Sequence, residues 1–115
     1  MLIRSQDKEM IVNIYTTNHI FIDEVYKPTG NLHDVCTDEM RLGYYSTKQK
    51  AMKVLDMIQE AYADAELIPM TVPNIGKMFQ EAPASKENEL LAEAIGKALM
   101  NKMVFQMPED WSVEV

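Results

Sequence analysis

A single cysteine, Cys36, excludes any disulfide within the chain, and one free thiol suits a reducing cytoplasm better than an oxidising compartment. Long hydrophobic runs are also missing. Ile11-Val12 and His19-Ile20-Phe21-Ile22 fall far short of the roughly 20 apolar residues that cross a bilayer. Arg4, Asp7, Lys8 and Glu9 occupy the stretch where a secretory leader carries its apolar segment, so neither a transmembrane helix nor a signal peptide is expected. Glycine is sparse and scattered at Gly30, Gly43, Gly76 and Gly96, which leaves no phosphate-cradling loop of either common pattern.

Positive charge is in deficit, with 11 Lys and Arg against 18 Asp and Glu, and the net charge of −7 opposes approach to nucleic acid phosphates. Lys48, Lys50 and Lys53 come closest to a basic cluster, but they fall on the expected solvent side of a helix, where a charge run serves solubility. Direct nucleic-acid binding is therefore not expected. Hydrophobic residues form 47% of the 115-residue chain, a globular proportion at a length that suits one domain.

Residues 2–6 and 10–15 flank Asp7-Lys8-Glu9, a connection of hairpin length between two strand-like runs. Ile20-Phe21-Ile22 through Val25-Tyr26 predicts a third strand, which Pro28-Thr29-Gly30-Asn31 ends. Residues 32–45 predict one or two more, with Met40, Leu42 and Tyr44 alternating against Arg41, Gly43 and Tyr45. Such alternation suits an antiparallel meander with one buried face.

Ser46 and Gln49 have the spacing of a capping box. After them Ala51, Val54, Leu55, Ile58, Ala61 and Tyr62 recur at helical spacing, so a helix over residues 46–62 is predicted to cover the sheet. Pro69, Pro73 and Pro83 argue against one long helix over residues 66–84 and leave room for a short one near residues 74–80. Ser85 is placed to cap a further helix reaching about residue 102, and residues 103–107 predict a terminal strand before Pro108. The expected fold is a single α+β domain over residues 1–115. It comprises an antiparallel β-sheet of four to five strands plus a C-terminal strand, an amphipathic helix across it, and a helical excursion over residues 63–102.

Candidate chemistry is thin. His33 and Cys36 form a His-x-x-Cys group beside Asp34 and Asp38, yet a structural zinc site needs a second ligand pair. A nucleophilic role for Cys36 is disfavoured by neighbouring acids, which oppose the thiolate. Asp23-Glu24, Asp38-Glu39 and Glu109-Asp110 read more simply as acidic turns than as paired catalytic carboxylates. No catalytic residue, metal site or cofactor is expected. The two arginines, Arg4 and Arg41, are placed to meet on neighbouring strands and, with Tyr44, to bind a small anionic ligand. Ten methionines suit cores and interfaces alike; Met52 and Met57, with Phe105 and Met107, are the candidate oligomer contacts.

The start Arg4-Ser5-Gln6-Asp7-Lys8, the run from Leu42-Gly43 through Tyr45-Ser46 into Lys53-Val54-Leu55-Asp56-Met57-Ile58-Gln59, and Phe105-Gln106-Met107-Pro108 together resemble a group of small uncharacterised proteins encoded by Firmicutes and their prophages. The resemblance covers residues 1–62 and 104–110. It implies a mobile-element accessory setting and carries no reaction with it. The expected function is a non-enzymatic phage or prophage binding protein, a counter-defence inhibitor engaging a host protein through an acidic surface. Two alternatives stand beside it: an oligomeric sponge for a small anionic nucleotide, and a structural or assembly module without ligand.

Overall fold

The structure, a computed structural model, describes residues 1–81 and 84–115, and of residues 68–76 and 79 it describes the backbone. The fold is α+β. Strands β1 (Leu2–Arg4), β2 (Ile11–Asn13), β3 (Ile20–Val25), β4 (Leu32–Thr37) and β5 (Arg41–Tyr45) precede helices α1 (Lys48–Glu81) and α2 (Lys86–Asn101), and β6 (Val104–Gln106) follows. They form two three-stranded sheets rather than one meander, ordered β2-β1-β6 and β3-β4-β5. The terminal strand does return, but it lies parallel to β1, with Ile3 opposite Phe105. The whole intervening chain serves as the long crossover that a parallel pair needs.

The β1–β2 turn is closed by its own side chains. Ser5 Oγ accepts from the Met10 amide at 3.1 Å and donates to Asp7 Oδ1 at 2.5 Å, and Asp7 Oδ1 also accepts from the Glu9 amide at 3.0 Å. Lys8 takes a left-handed φ of 67° at the tip. The predicted second strand stops at Asn13 because local bonds compete with the ladder. Asn13 Oδ1 accepts from the Tyr15 amide at 3.0 Å and the Thr17 hydroxyl donates to Ile14 O at 2.8 Å, which winds Ile14–Thr16 into a 3-10 turn.

The capping role expected of Ser46 falls to Thr47, whose Oγ1 accepts from the Lys50 amide at 3.2 Å. Ala51, Val54 and Ile58 then bury one stripe of α1 with Ile3, Val12, Val35, Leu42, Tyr45, Met107 and Val113. Leu55, Ala61 and Ala65 pack at the edge of that core, whereas Tyr62 turns outward to meet Tyr15 edge to face at 6.3 Å.

The expectation that prolines divide the excursion is corrected here, because α1 runs unbroken past Pro69 and Pro73; Pro83 lies outside the described residues. The two prolines are four residues apart, so their missing amide donors fall on one side of the helix. Ser85 caps α2 as expected, its Oγ accepting from the Asn88 amide at 3.1 Å. With α1 reaching beyond the sheets, the molecule measures 64 × 27 × 24 Å.

Candidate functional site

The three sequence motifs meet in space. Gln6, just past β1, donates its amide to Leu42 O at 2.8 Å. Its side chain accepts from the Tyr44 amide at 3.0 Å and donates to Tyr44 O and Pro108 O, both at 3.1 Å. Tyr45 Oη donates to the same Pro108 carbonyl at 2.8 Å. Gly43 makes the approach possible, because a Cβ there would stand 3.1 Å from Gln6 Cβ and 3.3 Å from the Tyr45 hydroxyl. Burial, followed by the charges of Glu109 and Asp110, pushes the Tyr45 phenol well above its ordinary pKa. This junction welds the two sheets together. Residues from all three motifs thus serve the scaffold at this point.

A second constellation lies on the outer face of β3-β4-β5. Antiparallel pairing sets Phe21 opposite Cys36 and Asp23 opposite Asp34, and continues them to Arg41 and Tyr44 on β5. A bulge makes this possible: Val35 faces Gly43 while Cys36 faces Arg41, so Leu42 is the extra residue. Simple alternation of Leu42 and Tyr44 against Arg41 and Tyr45 is therefore overturned, since Leu42 and Tyr45 are both buried while Arg41 and Tyr44 are exposed. Arg41 Cζ lies 5.3 Å from the Tyr44 ring centroid, within cation–π range, and Arg41 Nη1 is 3.6 Å from Asp34 Oδ2.

Asp34 is only 6% exposed, and its Oδ1 is buried without a hydrogen-bond partner among the described residues. A buried carboxylate oxygen left unpaired is costly. Cys36, half-buried beside it, has its thiol pKa raised by burial first and then by the charges of Asp34 and Asp23, with Arg41 opposing. The thiol is thus held protonated, which argues against a nucleophile.

Other sequence candidates are dispersed. His33 and Cys36 are an odd number of residues apart on β4, so their side chains leave opposite faces of the sheet and do not converge on one ion. His33 Nδ1 is 3.7 Å from Glu24 Oε1, and His19 Nδ1 is 3.4 Å from Asp38 Oδ1. No group of three metal-ligating side chains occurs among the described residues. Arg4 belongs to the other sheet and donates Nε to Lys8 O at 3.1 Å, so the expected pairing of the two arginines is not made. The space that Arg41 and Tyr44 line beside Gln6 is about 40 Å³, against the several hundred of a small-molecule pocket.

Of the expected oligomer contacts, Met52 is 47% exposed, Met57 and Phe105 are half-buried, and Met107, at 1%, is wholly committed to the core. Met107 therefore has no surface to offer a second subunit. Asp110, read from the sequence as part of an acidic turn, accepts from the Ser46 amide at 2.8 Å and from its hydroxyl at 3.0 Å. No local pattern signals that tether, or the Leu42 bulge that builds the outer face. Among the described residues no helix is long and apolar enough to cross a membrane. Comparison with protein-family models, curated proteins and solved structures returned no match to this chain.

Proposed function

We propose that this chain acts by binding and not by catalysis, and that its partner is a protein presenting basic side chains to the outer face of β3-β4-β5. The observation that carries this reading is the Asp23–Asp34 pair. The two carboxylates stand directly opposite each other on adjacent strands, where like charges are destabilising, and one of them keeps a buried oxygen without a hydrogen-bond partner among the described residues. An incoming guanidinium or ammonium group beside the exposed Asp23 offsets the repulsion. Phe21 and Tyr44, 41% and 46% exposed, flank the pair with apolar and cation-attracting rings. Asp38 and Glu39 extend the acidic surface across the β4–β5 turn.

Among the described residues β3 pairs only with β4, so its other edge offers free backbone groups to an added strand. The likeness of the three motifs to phage and prophage proteins supplies the setting, a host cytoplasm, and a host protein as the partner. A basic nucleic-acid channel is the kind of surface that an acidic inhibitor fills.

Affinity capture from host extract, with the partner then purified and titrated, tests the reading. Asp23→Lys is expected to weaken binding about tenfold or more, and added salt to weaken the wild type, whereas Asp56→Lys on exposed α1 surface serves as a control with little effect. Capture of no protein, or a partner indifferent to Asp23→Lys, would overturn it.

A further inference from the structure

The outward face of α2 fits neither the core nor the acidic site. Asn88, Ala92, Ile95 and Leu99 are half-buried on the side that packs back toward α1 and β6. Glu87, Leu91, Ala94, Ala98 and Lys102 are all exposed, and their spacing of four, three, four and four places them in one stripe along the helix. Leu91 is 53% exposed, with Leu90 at 57% beside the stripe. Large apolar side chains exposed along a helix mark an interaction surface.

We infer that this stripe is covered by the same stripe of a second copy of the chain, with the two α2 helices antiparallel. The stripe is complementary to itself in that orientation. A two-fold axis beside Ala94 sets Leu91 of each copy against Ala98 of the other, large against small, which lets the helices approach to the usual 8–10 Å. The same axis sets Glu87 of each copy against Lys102 of the other. A parallel pairing would bring Glu87 to Glu87 and Lys102 to Lys102, so charge selects the antiparallel register. Of the other charges on the helix, Lys97 Nζ lies 3.6 Å from Glu93 Oε1.

One pair of 16-residue helices buries less than the 1,200–2,000 Å² of a typical stable interface, so the association is expected to be weak and reversible. It uses a surface separate from the Asp23–Asp34 face, and failure of either proposal leaves the other standing.

Sedimentation velocity on the full chain, from low to high micromolar concentration, tests the inference. The wild type is expected to pass from monomer to dimer. E87K alone and K102E alone each place like charges at both ends of the contact, and each is expected to weaken dimerisation about tenfold or more. An equimolar mixture of the two variants is expected to regain the wild-type affinity, because every reversed charge then faces an opposite one. A wild type that stays monomeric, a dimer unaffected by both variants, or a mixture no tighter than either variant alone would overturn the inference; the mixture separates lost contact from lost folding.

Discussion

Asp110 ties residues near the C-terminus to the entry of α1. It accepts from the amide and hydroxyl of Ser46, and Lys50 Nζ stands 2.9 Å from its backbone oxygen and 3.7 Å from Oδ2. Burial alone would raise its pKa, but the Ser46 bonds and the Lys50 charge outweigh it and hold the carboxyl below its ordinary 3.8. Between the depressed and ordinary values the unfolded chain binds more protons than the folded one, so stability rises with pH there. The contribution is present above the ordinary value and is lost as pH falls through the depressed one. Urea unfolding of Asp110→Asn against wild type is expected to show a stability gap near neutrality that narrows as pH drops below about 4. A gap constant with pH would show that the carboxylate charge is not what holds the tether.

Gln6 is the element-scale counterpart, a joint between β1, β5 and the segment after β6. Its side chain satisfies the Tyr44 amide, the Tyr44 carbonyl and Pro108 O in a largely buried position. Gln6→Ala removes the side-chain partner of the Tyr44 amide and carbonyl, while Pro108 O keeps the Tyr45 hydroxyl, and the expected loss is about 2 kcal/mol, read as a lower urea midpoint with an unchanged m-value. A loss within about 0.5 kcal/mol, the ordinary effect of a surface substitution, would mean the joint is dispensable. At this scale the elements themselves are legible from sequence. The α1 stripe, the Ser85 cap and the strand composition of residues 20–25 all rest on periods and caps within a few residues. The errors have equally local causes. Ser46 and Thr47 are both competent caps, and the one not drawn to Asp110 takes the role; Asn13 and Thr17 end β2 through their own side-chain bonds.

For the whole molecule, the segment beyond β6 is structural. Val113 is 6% exposed within the core, and Pro108 O receives both Gln6 and Tyr45. A chain ended after Met107 loses these together with the Asp110 tether, an effect expected to consume much of the roughly 5–15 kcal/mol that a domain has. Calorimetry is expected to show the cooperative transition broadened or absent, and a sharp transition at the wild-type temperature would contradict this role.

By itself the sequence determined the α+β class, the strands that precede the helices, the acidic charge, and the helical start within one residue, because each depends on neighbours along the chain. Only the tertiary structure decided the parallel return of β6 to β1, the burial of Met107, the separation of Arg4 from Arg41, and the outer face built by the Leu42 bulge. Those outcomes depend on contacts such as Gln6 to Pro108, which are 102 positions apart. No local period, cap or turn encodes a partner at that distance; it is set when the core closes around Ile3, Leu42, Tyr45 and Met107. The three motifs are distant in sequence and adjacent in space, and what they specify is a joint between two sheets.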